Sequence, residues 1–363
     1  MNKLGFGYLR LPKRGEQYDT DLLCALTDRF LELGGRYFDT AYTYLEGKSE
    51  WAIRECLVKR HPRDSFVLAD KLPGYRVSTY ADCRRYFDEQ LERCGVTFFD
   101  VYLLHWLNRK NYAIAEAMEE FRFLSELKEQ GLAKKIGFSY HDTADLLEEI
   151  LTRHPEVDYV QLQINYLDWE SDAIQSRRCY EVAVAHGKKV IVMEPVKGGT
   201  LANLPDGVRA ILDRVDSAAS AASLALRFVQ SLPQVETVLS GMNAPEQVED
   251  NLRSVDAMTQ EEMNVMQEAA ELLRASIAVP CTACGYCLSH CPKHIVIPGC
   301  FKLYNEYRRA PDDDWKITPA YRQLTLSSGK VSDCIACGAC ARSCPQKLPI
   351  PDLLRDVKAA FEG

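Results

Sequence analysis

One cysteine pattern occurs twice in the last quarter of this 363-residue chain. Each copy has the spacing C-x-x-C-x-x-C-x-x-x-C-P, with three closely spaced cysteines followed by a fourth and a proline. In chain order the cysteines are Cys281, Cys284, Cys287 and Cys291, then Cys334, Cys337, Cys340 and Cys344. Such spacing is typical of a chain that wraps a cube of four iron and four sulfur atoms. Because each cube needs four thiolates, the eight cysteines predict two [4Fe-4S] clusters.

Zinc ribbons and disulfides are the alternative structures for a cysteine-rich segment. Zinc sites usually combine two C-x-x-C pairs, or cysteine with histidine, and neither alternative predicts a C-P ending in both copies. The spacing instead resembles bacterial two-cluster ferredoxins, in which the fourth cysteine of each run binds the other cluster. That resemblance implies that Cys291 completes the second cluster and Cys344 the first. The two runs are therefore expected to fold as one unit.

The other six cysteines show no paired spacing; they are Cys24, Cys56, Cys83, Cys94, Cys179 and Cys300. Charges and a proline interrupt the N-terminus where a signal peptide would have its apolar core, and no run of about 18 apolar residues occurs. We therefore predict a soluble protein in the reducing cytoplasm, with no membrane partner.

The net charge of −8 is unevenly distributed along the chain. From residue 276 onward there are 11 Lys and Arg against 8 Asp and Glu, a net +3, which leaves −11 for the first part. Each oxidised cluster with its thiolates adds roughly two negative charges, so a basic surrounding lessens their repulsion. Without a basic helix or an aromatic-basic stripe, no nucleic-acid partner is predicted.

Short β-type runs alternate with longer amphipathic stretches over the first 275 residues, as in parallel strands joined by helices. The eight strand candidates are Leu4 to Tyr8, Arg36 to Ala41, Ser65 to Leu72, Phe98 to His105, Lys135 to Ser139, Asp158 to Gln163, Lys188 to Pro195 and Glu236 to Gly241. This number and length predict an α/β fold of the (β/α)8 TIM barrel type, with its active site at the carboxyl ends of the strands. An open doubly wound sheet is the alternative, but the glycine-rich phosphate turn that it needs is missing.

The strand rhythm stops after a last helix, for which Thr259 and Glu262 have capping-box spacing. We therefore predict two domains, a barrel over residues 1–275 and a small, mostly helical ferredoxin-like domain with both clusters over residues 276–363.

Four side chains fall at or just past the ends of three neighbouring strand candidates; they are Asp39, Tyr44, Lys71 and His105. Around them the chain resembles the aldo-keto reductases. The matching segments, in family order, are residues 35–41 with Tyr44 and residues 47–50, then residues 69–73, 100–105, 136–139, 160–161, 194–195 and 241–251. They extend over about three quarters of the chain. With its cluster domain, the whole chain resembles the iron–sulfur branch of that family.

These four residues suit the reduction of a carbonyl, which needs a hydride on carbon and a proton on oxygen. A free tyrosine, with a pKa of about 10, is a poor acid near neutrality. A neighbouring ammonium lowers that pKa, so we predict that Lys71 tunes Tyr44 and that Asp39 holds Lys71. His105 is predicted to bind the carbonyl oxygen, where negative charge develops. Tyr42 is the alternative acid, and the family spacing after Asp39 favours Tyr44.

The resemblance also implies a nicotinamide cofactor, NAD(P)H, with predicted contacts at Ser139, Gln161, Lys197, Gly241, Gln247 and Asn251. Tyr140 stands where the family usually has asparagine, and Met193 where a tyrosine commonly stacks on the nicotinamide. Gly241 and Gln247 replace the cations that often bind the 2′-phosphate, so we expect weak preference for NADP or use of NAD. Lys197 is expected either to reach the pyrophosphate or to be a solvated loop lysine.

Nicotinamide transfers a hydride whereas a cluster passes single electrons, which leaves three interpretations. In the first, the barrel reduces a small carbonyl, or oxidises an alcohol, and the clusters are structural. In the second, the clusters relay electrons from a ferredoxin or flavodoxin to a substrate or an unrecognised flavin in the barrel. In the third, the chain is an electron-transfer or docking subunit with an inactive barrel. The complete set of four residues favours the first two.

Two segments are candidates for the roof of the substrate pocket, namely Trp106 to Tyr112 and the insert Phe301 to Asp333 between the cysteine runs. The aromatic residues of the insert either line the pocket or form the core of the C-terminal domain; they are Tyr304, Tyr307, Trp315 and Tyr321.

Overall fold

The computed structural model describes residues 3–15, 17–253, 256–309 and 314–363. Its strands are β1 Leu4–Gly7, β2 Lys13–Arg14, β3 Gln17–Tyr18, β4 Tyr37–Asp39, β5 Val67–Leu72, β6 Phe99–Leu107, β7 Ala133–Tyr140, β8 Tyr159–Gln163, β9 Lys189–Met193 and β10 Val235–Ser240. Eight of them form a closed parallel barrel in the order β1-β10-β9-β8-β7-β6-β5-β4, which closes by pairing of β4 with β1. The predicted TIM barrel and its eight strands are confirmed. The short strands β2 and β3 form a separate antiparallel pair.

Helices surround the barrel and make up most of the C-terminal region. The barrel part has α1 Thr20–Glu32, α2 Lys48–Ile53, α3 Tyr80–Cys94, α4 Arg109–Ala117, α5 Glu120–Glu129, α6 Ala144–Arg153, α7 Ser176–Ala185, α8 Asp206–Asp216, α9 Ala221–Gln230, α10 Pro245–Arg253 and α11 Gln260–Ser276. The C-terminal region has α12 Ile297–Arg309, α13 Asp314–Leu324, α14 Ala339–Arg342 and α15 Ile350–Phe361.

The barrel has an apolar interior inside its ring of strands, separate from the larger core between strands and helices. The interior residues come from five strands and are Ala69, Val101, Leu103, Tyr159, Ile191 and Leu239. Strands covered on both faces read as nearly continuous apolar runs, which is why β6 was recognisable in the sequence. Gly137 of β7 allows close strand packing, since a Cβ there would lie 2.1 Å from the carbonyl oxygen of Tyr159.

The capping box predicted before the last barrel helix is present at the start of α11. The backbone N–H of Thr259 donates to Glu262 Oε2 over 2.6 Å, and the backbone N–H of Glu262 donates to Thr259 Oγ1 over 3.3 Å. These bonds satisfy two donors that a helix N-terminus leaves without intrahelical partners. Helix α11 ends at Ser276, next to the predicted domain boundary, whose position stays a prediction.

The C-terminal helices enclose a second apolar core, which starts at Val279. Tyr304 and Tyr321 are buried in it, and the ring of Tyr307 packs against Phe361 at 5.6 Å. Trp315 is 70% exposed. Of the two alternatives for these aromatic residues, a place in the core of the C-terminal domain is confirmed for Tyr304 and Tyr321, whereas Trp315 lies at the surface. Residues 310–313 of the insert lie outside the described residues.

Cys24 of α1 and Cys56 form a disulfide across the helical layer, with their Cα atoms 4.5 Å apart. Sequence spacing did not indicate this pair, because the cysteines are 32 residues apart and only the packing of α1 against the following helical segment brings them together.

Across the described ranges, no helix combines the length and the apolar character that crossing a bilayer requires.

Candidate active site and cluster-binding sites

The structure brings the four predicted catalytic side chains together at the carboxyl end of the barrel. Asp39 ends β4, Lys71 lies in β5 and His105 lies in β6, so neighbouring strands supply three of them. The ammonium of Lys71 donates to Asp39 Oδ1 over 2.5 Å and to the carbonyl oxygen of Thr40 over 2.8 Å. It also lies 3.3 Å from the hydroxyl of Tyr44. The ring of His105 meets that of Tyr44 edge-on, with centroids 5.6 Å apart.

The loop after β4 determines which tyrosine enters the site. Tyr44 is 9% exposed and begins a turn in which Leu45 and Glu46 adopt left-handed φ values of +53° and +59°. Such values are uncommon for non-glycine residues, and they turn the chain sharply behind Tyr44. The hydroxyl of Tyr42 donates instead to Glu89 on α3, 2.8 Å away. Of the two candidates, Tyr44 is therefore the one in contact with Lys71.

Burial dominates the ionisation of the site. It raises the pKa of Tyr44 well above its ordinary value, and the negative charge of Asp39 raises it further. Desolvation of the phenolate therefore outweighs the lowering of this pKa that was expected from Lys71. Burial likewise lowers the pKa of His105 well below its ordinary value, and the charge of Lys71 adds to that effect. Around neutral pH the site holds a protonated phenol and a neutral imidazole.

Two predicted nicotinamide contacts lie side by side, because Ser139 of β7 is paired in register with Gln161 of β8. Both are buried, and among the described residues Gln161 Oε1 has no hydrogen-bond partner. The ring of Tyr140 points elsewhere, since its hydroxyl donates to the carbonyl oxygen of Thr143 over 2.5 Å. His141 lies beside Ser139 instead, with 3.3 Å between Nε2 and Oγ. A hydroxyl and an unpartnered amide oxygen fit the carboxamide of a nicotinamide.

The next three predicted cofactor residues line one cleft at the mouth of the barrel, with a volume of about 230 Å³. Gly241, Gln247 and Asn251 line it together with Arg10 and Glu194. Arg10 Nη2 donates to Glu194 Oε1 over 3.0 Å. The guanidinium in this cleft is already paired with a carboxylate.

The eight cysteines of the repeated pattern surround two separate cavities. Cys281, Cys284, Cys287 and Cys344 line the first. Cys291, Cys334, Cys337 and Cys340 line the second. Each cavity thus takes three cysteines from one run and the fourth from the other, as in the predicted exchange. In the described residues no three metal-binding side chains converge as ligands of a single ion would. Four thiols around an apolar cavity suit a cube in which each iron takes one thiolate.

Family models match both parts of the chain. Residues 3–271 match the model described as the aldo/keto reductase family. This chain belongs to the aldo/keto reductase family. Residues 280–348 match the model of a 4Fe-4S dicluster domain. The protein is therefore an oxidoreductase in which an aldo/keto reductase barrel is followed by an iron–sulfur domain.

Relatives of this aldo/keto reductase include the NADH-specific methylglyoxal reductase of Escherichia coli, which is 25% identical over 66% of this chain and 85% of its own length. A holo-form aldo-keto reductase from Bacillus halodurans has a TM-score of 0.62 and 25% identity, over 74% of this chain and 91% of its own. A Klebsiella pneumoniae aldo/keto reductase, solved with NADP and acetate, has a TM-score of 0.61 and 21% identity. The match covers 75% of this chain and 91% of the Klebsiella chain.

The iron–sulfur domain packs against the catalytic mouth of the reductase barrel. Gly198, in the loop after β9, approaches it so closely that a Cβ there would lie 2.2 Å from the carbonyl oxygen of Thr282. Arg10 Nη2 lies 3.4 Å from the same carbonyl oxygen. Thr282 also lines the first cluster cavity. The first cluster cavity therefore faces the barrel.

Lys197 belongs to this interface. Its ammonium donates over 2.6 Å to both carboxylate oxygens of Asp168 and over 3.0 Å to Gln346 Oε1. The side chain is 2% exposed, so the expectation of a solvated loop lysine is wrong. Because these partners already satisfy the ammonium, we do not place Lys197 on a pyrophosphate. Gln346 also exchanges hydrogen bonds with Gln163 of β8 and follows Cys344 by two residues.

Several residues of the site were missed by reasoning from the sequence. Arg10 and Asp168 carry no recognisable motif, and Glu194, although it belongs to the matching segment 194–195, was given no role. Glu194 has a left-handed φ of +56°, and its Oε2 is buried without a partner among the described residues. Tyr286 lies within the first cysteine run, and its ring stacks on Trp106 of β6. The position of an aromatic residue between two cluster ligands was the signal in the sequence that could have drawn attention to Tyr286.

Proposed function

We propose that this enzyme reduces a small carbonyl compound with a hydride from NADH, and that Tyr44 donates the proton. The observation that carries this proposal is the contact of the Tyr44 hydroxyl with the Lys71 ammonium, itself held by Asp39 at the barrel mouth. His105 lies beside the same tyrosine. The name of the Escherichia coli relative, an NADH-specific methylglyoxal reductase, supports the same reaction class.

When bound, the nicotinamide supplies the hydride, and the protein supplies orientation and proton transfer. Ser139 and Gln161 would hold the carboxamide, which determines the ring face that is turned to the substrate. Tyr44 and His105 would donate hydrogen bonds to the carbonyl oxygen, where negative charge develops. Protonated Tyr44 donates through its hydroxyl and neutral His105 through its one ring N–H, and burial favours both of these forms.

Lys71 acts on the phenolate that remains after Tyr44 has donated its proton. Burial keeps Tyr44 protonated in the resting enzyme, so an unassisted phenolate would be costly. After the proton leaves, the ammonium 3.3 Å away stabilises the phenolate, and Asp39 holds that ammonium in place. We therefore assign Lys71 the role of lowering the cost of proton donation.

The cleft favours NADH over NADPH. Gly241 and Gln247 provide no cation for a 2′-phosphate, and the guanidinium of Arg10 is engaged by Glu194. We expect anaerobically purified protein with full iron content to oxidise NADH when methylglyoxal is added, with kcat/KM about tenfold higher than for NADPH. Coenzyme absorbance would be followed with and without the carbonyl. Failure to consume either coenzyme, with methylglyoxal and with benzaldehyde, would contradict the proposal.

A second candidate function is electron relay through the clusters, and the positions of the two cavities favour it. The first cavity shares Thr282 and Gln346 with the barrel interface, whereas Ile335 and Cys337 beside the second are exposed. A small carrier of the ferredoxin or flavodoxin class would deliver electrons at the exposed cluster. Two electrons and two protons would then convert one carbonyl to an alcohol.

Anaerobic spectroscopy tests this relay. We expect reduced ferredoxin to bleach the cluster absorbance and benzaldehyde or methylglyoxal to restore it, with dithionite as the control for complete reduction. If dithionite bleaches the clusters and neither carbonyl restores the absorbance, the clusters do not feed the barrel and the relay is excluded.

A further inference from the structure

The iron–sulfur domain places an aromatic ring over the barrel mouth. Tyr286 lies between the cluster ligands Cys284 and Cys287, and its ring stacks on that of Trp106, with centroids 5.9 Å apart and planes 13° from parallel. Trp106 follows the predicted catalytic His105 directly and has a left-handed φ of +62°. Two segments about 180 residues apart thus meet above the catalytic histidine.

Ring contacts connect Tyr286 with the proposed proton donor. Trp106, on which Tyr286 stacks, directly follows His105, and the ring of His105 meets that of Tyr44 edge-on with centroids 5.6 Å apart. Tyr75 completes the surrounding wall, because its ring lies 6.1 Å from that of His105 and 5.6 Å from that of Trp106. The carbonyl position next to Tyr44 is therefore bordered by flat aromatic faces from both domains.

The cluster site determines where Tyr286 stands. Its two neighbours in sequence, Gly285 and Cys287, line the first cluster cavity together with Cys284. Gly285 has a φ of +83°, a conformation that glycine adopts without strain. Thiolate ligation on both sides of a single tyrosine would hold its backbone in place. The metal-binding loop would therefore fix the position of the Tyr286 ring at the barrel mouth.

We propose that Tyr286 is a substrate-positioning residue, which with Trp106 selects flat aromatic carbonyl compounds over small aliphatic ones. This inference rests on the proposed function of the barrel. An aromatic substrate would lie along the stacked rings and present its carbonyl to Tyr44 and His105. A small aliphatic carbonyl has no face to stack and would gain little from the roof.

The test compares Tyr286→Ala with Tyr286→Phe in the iron-loaded enzyme, using benzaldehyde and methylglyoxal as probes. We expect Tyr286→Ala to raise KM for benzaldehyde about tenfold, with little change in kcat and less than about twofold change for methylglyoxal. Tyr286→Phe keeps the ring, so its KM for benzaldehyde should stay near that of the parent enzyme. Trp106→Leu, which removes the other half of the stack, should reproduce the benzaldehyde effect. Iron content of every variant is the control for an intact domain.

Binding without turnover separates this inference from the proposed reaction. Calorimetric titration of benzaldehyde into the iron-loaded enzyme, without coenzyme, should show about tenfold weaker binding for Tyr286→Ala. Equal binding by the parent and Tyr286→Ala, or equal KM increases for both probes, would overturn the positioning role. An enzyme that turns over neither carbonyl but loses benzaldehyde binding in Tyr286→Ala would refute the reaction and leave the binding role supported.

Discussion

Replacing Tyr44 by phenylalanine should reduce kcat for carbonyl reduction by about 10²–10⁴-fold, the usual contribution of a positioned general acid. The substitution removes one hydroxyl and retains the ring that meets His105 edge-on. Lys71 keeps its bonds to Asp39 and to the carbonyl oxygen of Thr40, so the buried ammonium is not left unpaired. The measurement is the steady-state rate of NADH oxidation with methylglyoxal and with benzaldehyde, at saturating concentrations.

Tyr42→Phe is the matched control for this variant. It removes a hydroxyl two residues away that bonds to Glu89 and Arg93 on α3, outside the catalytic group. We expect its kcat to stay within about twofold of the parent value, because changes at the surface away from the site have small effects. Full turnover in Tyr44→Phe, or an equal loss in Tyr42→Phe, would refute acid catalysis by Tyr44.

The second large effect is the loss of a cluster ligand. Cys344→Ser should remove the first cluster and leave the second in place. Cys344 lines the cavity of Cys281, Cys284 and Cys287, although it belongs to the other run in sequence. We expect anaerobically purified Cys344→Ser to contain about four iron atoms per chain in place of about eight. Iron and sulfide analysis measures this loss.

Alkylation with iodoacetamide, followed by peptide mass mapping, identifies which thiols the substitution frees. In Cys344→Ser the first three cysteines of the first run should become reactive, while Cys334, Cys337 and Cys340 stay protected by iron. The converse variant Cys291→Ser should free the second set. If Cys344→Ser exposes the cysteines of its own run instead, the exchange of fourth ligands is wrong.

Cys300→Ser controls for the loss of any buried thiol in the same domain. Cys300 is fully buried in the apolar core of the C-terminal region and lines neither cluster cavity. The Cys300→Ser variant should keep about eight iron atoms per chain, and the cluster cysteines should stay protected from alkylation as in the parent protein.

Local spacing made much of the molecule predictable. An iron–sulfur site needs thiolates a few residues apart, and a buried parallel strand needs a continuous apolar run. Each of these signals is therefore contained in a short segment of sequence. The eight strands and the four predicted catalytic residues followed from such segments in family order. The same reasoning placed the helix start at Thr259 correctly, because a capping box spans only four residues.

Errors arose where a property depended on residues far apart in the chain. Lys197 was expected either to reach the pyrophosphate or to be a solvated loop lysine, yet its partners Asp168 and Gln346 lie 29 and 149 residues away in the chain. Cys24 and Cys56 showed no pairing signal for the same reason. The pKa of Tyr44 was expected to fall beside Lys71, but the desolvation that raises it depends on how completely the fold encloses the phenol.

Periodicity and ligand spacing are local properties, so the chain's residues alone were enough to predict the barrel, the cysteines that surround the two cavities and the side chains that meet at its carboxyl end. The position of the first cluster cavity against the barrel and the stacking of Tyr286 on Trp106 became evident only in the folded structure. That arrangement results from the packing of one domain on the other, through contacts such as Gly198 with Thr282 and Lys197 with Gln346. Neither member of such a pair indicates its partner, because complementary shape and charge arise only when both surfaces have folded.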